Sequence, residues 1–139
     1  MLIKTRKKKI KSPSDVAIIL KEYLNKEDKI DKEREHFWVI GLNPKCKIKY
    51  VDLTTIGSLD SASIHVRDIY RRAIRNNVAS IIIAHNHTTE DVSPSEQDNN
   101  LTKIVMEAGK ILGIDVLDHI IIGKSDRIYS FSARQYIII

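Results

Sequence analysis

The sequence predicts an α/β (α+β) domain in which a mixed central sheet is flanked by helices. Short strands in hairpin-like pairs alternate along the chain with amphipathic helices, an order that neither a helical bundle nor an all-β sandwich produces. One strand, Ser80-Ile81-Ile82-Ile83-Ala84, is apolar without alternation, as a strand buried on both faces requires. The chain has 139 residues and 42% hydrophobic content, enough for one core without disulfide staples.

The elements follow in order. Ser12-Pro13-Ser14-Asp15 reads as a helix start, and Val16, Ile19, Leu20 and Leu24 form an apolar stripe behind it. That helix fades in the charged stretch 25–35. His36 to Ile40 has a strand pattern, Asn43-Pro44-Lys45 a turn, and Ile48 to Thr55 the returning strand. Residues 64–76 carry Val66, Ile69, Tyr70, Ala73 and Ile74 at helical spacing, and Asn76-Asn77 closes that helix. After the buried strand, residues 85–93 are loop-like. A helix then runs over 94–112 and stops at Gly113. Val116 to Ile122, a turn at 123–126, and Arg127 to Phe131 complete a last hairpin. The apolar tail Tyr136-Ile137-Ile138-Ile139 suits an edge strand or, alternatively, a homo-oligomer contact.

Charge divides the chain into a basic N-terminal arm, 1–11, and a domain, 12–139. The arm holds Lys4, Arg6, Lys7, Lys8, Lys9 and Lys11, six of the 23 basic residues. The remainder carries 17 basic residues against 18 acidic ones, so the net +5 belongs to the arm. A solvated arm is expected, with a phosphate-contacting arm as the alternative. The lone Cys46 excludes a disulfide framework and a cysteine-based zinc cluster. No apolar run approaches the ~18 residues of a membrane span, and no signal peptide is evident, so a cytoplasmic protein without a membrane partner is expected.

The chemistry concentrates between His85 and Asp98. His85 and His87 stand at i and i+2 at the end of the buried strand, so in extended backbone they point the same way and can share one metal ion. Ser93-Pro94-Ser95-Glu96 reads as a capping box with proline at the first helical position. Asp98 then extends the apolar stripe Leu101, Val105, Ala108 and Leu112 toward the helix N-terminus. An inward carboxylate needs a partner or a cation, and zinc beside two histidines meets that need. Three protein ligands leave a fourth position for water, the arrangement of catalytic zinc. Glu35, just before the strand of residues 37–42, is the candidate general base, although it also lies in a charge run that suits a solvated edge. Ser95 is the candidate oxyanion donor, or simply a helix-start residue. His119, beside Asp118, is read as a histidine packed under the sheet, with a supporting role to the metal ligands as the alternative.

The pattern His85-x-His87, seven residues, Ser95, two residues, Asp98, with Glu35 upstream, resembles the JAMM signature of JAB/MPN metallopeptidases. Arg34-Glu35-His36-Phe37-Trp38, His85-Asn86-His87 and the segment Leu117-Asp118-His119-Ile120-Ile121-Ile122-Gly123 narrow that resemblance to RadC-like proteins, over residues 12–131. The resemblance implies a cytidine-deaminase-like JAB/MPN sandwich. It also implies metal ligation by His85, His87 and Asp98, base catalysis by Glu35 and oxyanion support from Ser95. The sequence departs from the family at Thr88-Thr89-Glu90, where many members have Pro-Ser-Gly, so the loop and the substrate entrance are expected to differ. The 139 residues leave no room for the helix-hairpin-helix-like half of full-length members, so no DNA binding is inferred through that module.

The expected activity is zinc-dependent hydrolysis of an amide bond, by a metallopeptidase or isopeptidase acting on a peptide or protein. The alternative is a DNA-repair-associated accessory protein that binds DNA through its arm, with a structural or vestigial zinc site. A nuclease cleft lined with Lys and Arg is disfavoured by the near-neutral domain.

Overall fold

The computed structural model describes residues 1–57 and 64–139. In chain order the elements are α1 (Pro13–Lys26), the single turn α2 (Lys29–Lys32), β1 (Glu35–Leu42), β2 (Ile48–Gly57), α3 (Val66–Arg75), β3 (Ser80–Asn86), α4 (Glu96–Leu112), β4 (Asp115–Ile122), β5 (Arg127–Ser130) and β6 (Gln135–Ile138). The strands form one sheet in the order β2-β1-β3-β4-β5-β6. β3 and β4 run parallel and their neighbours antiparallel, so the sheet is mixed, as the sequence predicts. Parallel neighbours need a crossover, and α4 supplies it.

Alternation along the strands feeds two cores, one on each face of the sheet. Trp38, Ile40, Ile82, Ala84, Ile120 and Ile122 pack with α1 through Val16, Ile19 and Leu20. Phe37, Val39, Ile81 and Ile83 pack on the other face with Ile69, Tyr70 and Ala73 of α3 and Val105 of α4. β3 is buried along its whole length, which explains its unalternating sequence. His85 and His87 continue the odd-numbered series 81, 83 and therefore face the α3/α4 layer.

Helix ends follow local chemistry. Ser12 caps α1 in a reciprocal arrangement with Asp15. Asn77 takes a left-handed φ of 53° after α3, and Gly113 one of 71° after α4. α4 starts at Glu96, two residues later than the sequence pattern suggests. Its N-cap is Ser95 rather than Ser93, and its box partner is Asp98 rather than Glu96. Ser93 is engaged elsewhere, its N–H and hydroxyl both donating to Asp91. The tail forms β6, an edge strand on β5.

The basic arm does not stand free. Ile3 N–H donates to the Val51 carbonyl (2.8 Å), Ile48 N–H to Lys8 (2.9 Å) and Ile10 N–H to Cys46 (3.0 Å), so the arm runs along the outer edge of β2. Ile10 joins the core and Ile3 packs against it, while Lys4, Arg6, Lys8, Lys9 and Lys11 keep exposed side chains. The run of lysines masks this strand-like pairing in the sequence. Among the described residues, no helix is long and apolar enough to cross a membrane.

Candidate metal centre

The site forms where β3 parts from β1. Pairing with β1 ends at Phe37↔His85, whereas pairing with β4 continues to Asn86↔Ile122, and His87 N–H then donates to the Ile122 carbonyl at 2.8 Å. The Asn86 side chain fills the resulting split. Its Oδ1 accepts from His36 N–H (2.5 Å) and its Nδ2 donates to the Arg34 carbonyl (3.1 Å). A carboxamide offers the same donor and acceptor as a peptide group, so it stands in for the lost strand partner on either side of Glu35. Strand alternation places the Glu35 side chain on the face of Phe37, and hence of His85 and His87.

Across that face lies the first turn of α4. Asp98 Oδ2 accepts from Ser95 N–H at 2.9 Å, and Ser95 Oγ accepts from Asp98 N–H at 3.0 Å, which fixes the aspartate rotamer. The same carboxylate faces both histidines: His85 Nε2 lies 3.2 Å from Oδ1 and His87 Nε2 lies 3.1 Å from Oδ2. The three residues each offer a ligand atom, all within 4.8 Å of one another, so the group is able to hold a metal ion. Atoms bonded to zinc at about 2.0–2.1 Å in a tetrahedron stand about 3.3 Å apart, close to the two spacings seen. The fit has a further sign. Among the described residues, the buried His85 Nε2 makes no hydrogen bond, and its near polar neighbour is Asp98 Oδ1 at 3.2 Å.

Electrostatics follow from the crowding. Burial by itself raises the Asp98 carboxyl, but the contacts from His85 and His87 and the Ser95 N–H outweigh it and hold the group well below the ordinary carboxylate range. His87 is raised, chiefly by its contact with Asp98. Burial opposes the shift, while the Asp91 carbonyl and the Glu35 charge add to it. His87 Nδ1 lies 2.9 Å from the Asp91 carbonyl, an acceptor only, so this nitrogen carries the proton and Nε2 is the one turned to Asp98. His119, fully buried, is pushed well below its usual value by desolvation and by the neighbouring His85.

Glu35, His85, His87, Ser95, Gln97 and Asp98 line one cavity of about 310 Å³, together with Thr88 and Thr89. All five residues singled out in the sequence therefore reach the same place. A larger cavity of about 510 Å³ adjoins it, sharing His87 and Thr88 and bounded by Lys21, Leu24 and Lys124. The Thr88-Thr89-Glu90 loop is tied down by Lys124 N–H donating to the Thr89 carbonyl at 3.0 Å. Gly123 makes this approach feasible, since a Cβ there would meet the Thr89 carbonyl at 2.7 Å and Val92 Cγ1 at 2.8 Å.

One residue at the site, Asn86, escapes sequence reasoning, and a second, His119, is foreseen in a supporting role only as the alternative to packing under the sheet. Asn86 sits between the histidines and looks like a spacer, and only the splitting of the strands reveals its bonds. His119 is packed beneath the sheet as expected, with its ring stacked on Phe131 (centroids 4.5 Å apart). It also contacts His85, Nε2 to Nδ1, at 2.8 Å. Its partner in the parallel β3/β4 register is Ile83, two residues before His85 on the same face, a signal visible only once the pairing is known.

Residues 10–136 match the RadC-like JAB domain. A UPF0758 protein of Desulforudis audaxviator is 42% identical over 116 residues, 84% of this chain and 48% of its own length. One of Alkaliphilus oremlandii is 43% identical over 131 residues, 92% of this chain and 52% of its own. One of Clostridium novyi is 47% identical over 119 residues, 86% and 50% respectively. The chain thus spans about half the length of the curated relatives it matches.

Proposed function

The chain belongs to the RadC-like JAB domain family, and from that premise we propose that it is a zinc-dependent hydrolase of amide bonds in a peptide or protein. His85, His87 and Asp98 hold the metal, Glu35 is the general base and Ser95 the oxyanion donor. The observation that supports this reading most is the convergence of His85, His87 and Asp98, whose ligand atoms all lie within 4.8 Å of one another.

A zinc ion bound by these three residues supplies Lewis acidity to an amide carbonyl and to water. Glu35 takes a proton from the attacking water and returns it to the departing amine as the C–N bond breaks. Ser95 Oγ already accepts from Asp98 N–H, so its own proton is free to be donated to the carbonyl oxygen as charge develops there. The N-terminus of α4 adds a favourable potential at the same point. The larger adjoining cavity is where a polypeptide substrate lies, its scissile bond reaching past His87 and Thr88 toward Glu35.

The test combines metal analysis with cleavage profiling on a peptide library, comparing wild type with Glu35→Gln. The expected result is about one zinc per chain in both proteins, with cleavage by the wild type alone. A protein that refuses zinc, or equal cleavage by both, refutes the proposal.

A further inference from the structure

We infer that His119 is a positioning residue for the candidate metal centre, the middle link of a hydrogen-bond chain that holds His85 in the tautomer whose Nε2 lone pair faces Asp98 and His87. The inference deepens the metal-site reading and rests on it for its purpose, but the proton positions follow from donors and acceptors alone.

The chain begins on α4. Thr102 Oγ1 donates to the Asp98 carbonyl at 2.7 Å, the back-bond a threonine makes to the residue four earlier in a helix. A carbonyl only accepts, so the single hydroxyl proton is committed there. His119 Nδ1 lies 2.6 Å from the same Oγ1 and must therefore be the donor. With Nδ1 protonated, a neutral His119 has a bare Nε2, and this atom is 2.8 Å from His85 Nδ1. His85 Nδ1 must then carry the proton, which leaves the lone pair on Nε2. The ring is fully buried, so a second proton on His119 would place a charge in a largely apolar layer.

The arrangement turns His85 Nε2 toward Asp98 Oδ1, 3.2 Å away, where among the described residues it makes no hydrogen bond. It also couples two of the three proposed ligands, because the chain ends on the backbone carbonyl of Asp98. Metal-binding histidines are commonly held by such an outer partner, usually a carboxylate or carbonyl; here another imidazole takes that place.

The test uses the full chain, ¹⁵N-labelled at histidine, and reads tautomers from long-range ¹H–¹⁵N correlation spectra of metal-free protein alongside Zn²⁺ affinity against a competing chelator. In the wild type His85 is expected as the Nδ1–H tautomer. His119→Phe keeps the stacking on Phe131 but accepts nothing, and should give a mixture of His85 tautomers with about 10–100-fold weaker zinc binding. His119→Gln, whose Oε1 can accept from His85, should recover much of both. Thr102→Val, a milder change, should move both readouts in the same direction as His119→Phe, and it decides the matter if the phenylalanine variant fails to fold. A wild-type His85 carrying its proton on Nε2 overturns the inference, as does a folded His119→Phe or Thr102→Val protein with unchanged tautomer and affinity. Should the wild type bind no zinc while the tautomers shift as stated, the hydrogen-bond chain stands and the metal reading falls.

Discussion

Replacing Asp98 with asparagine preserves the shape of the side chain and removes its charge. An asparagine oxygen can still accept from Ser95 N–H, so the α4 cap survives. What disappears is the carboxylate set 3.1–3.2 Å from both imidazoles. In metal-free protein the loss is small. A hydrogen bond to a charged group contributes about 1.5–3 kcal/mol, but relief of a buried carboxylate offsets part of it, leaving about 1 kcal/mol. The metal-bound comparison is much larger. At a free zinc concentration about 100 times Kd, binding stabilises the wild type by about 2.7 kcal/mol. Unfolding entropy of about 2.1 cal/mol/K per residue turns this into a rise in Tm of about 9 °C for 139 residues. Loss of an outer partner already costs metal sites about 10–100-fold in affinity, so loss of a charged ligand should cost at least about 100-fold. At the same zinc concentration the variant then gains only about 0.4 kcal/mol, a shift of about 1 °C. Differential scanning calorimetry with and without zinc measures both values. Equal zinc-induced shifts in wild type and Asp98→Asn would refute the assignment of Asp98 as a ligand.

Two further outcomes follow from the same geometry. Because His87 is raised above 6.5 in metal-free protein, a proton competes with zinc: affinity should be flat at high pH and fall about tenfold per unit below the raised value, as isothermal titration across pH would show. The sign reverses for metal-free folding, where the stabilisation from His87 is full below the ordinary value of 6.5 and is lost as pH rises through the raised one. Gly123→Ala forces its new methyl against the Thr89 carbonyl and Val92, so it should cost about 1–3 kcal/mol in urea unfolding and weaken zinc binding through the displaced loop. A neutral substitution there would show that the loop yields freely.

The sequence discloses most of the fold because its elements are long and strongly periodic. Residues 80–84 read as a strand buried on both faces, which the structure extends through His85 and Asn86, and the stripes of α1, α3 and α4 match the faces they bury. Where the reading slips, two local solutions compete. Ser93 and Ser95 both suit an N-cap, and Pro94 suits the first helical turn. The contest is settled by Asp98, whose carboxylate bonds the Ser95 N–H from the third helical position. The candidate residues of the 85–98 stretch are visible because their types and order are unusual for a loop, whereas Glu35 stands out only through the family resemblance. Of their supports, His119 is foreseen only as an alternative and Asn86 not at all, since both act across strands. The pairing of the arm escapes for another reason: its lysines dominate the composition, while its backbone bonds along β2 leave no periodic trace.

Each atom facing the centre is held by an obligation that exists without any metal. Asp98 is aimed by capping α4, Glu35 by the Asn86 carboxamide that closes the split between β1 and β3, and His87 by the Asp91 carbonyl. A site assembled in this way is formed before an ion arrives, unlike small zinc domains whose ligands have no other structure to hold them. Chelator-treated protein should therefore keep its far-ultraviolet circular dichroism and unfold cooperatively, with zinc adding stability by mass action rather than creating the fold. Loss of cooperative unfolding on metal removal would mean that these local bonds are too weak to hold the ligands apart from the ion, and that folding and metal capture are one event.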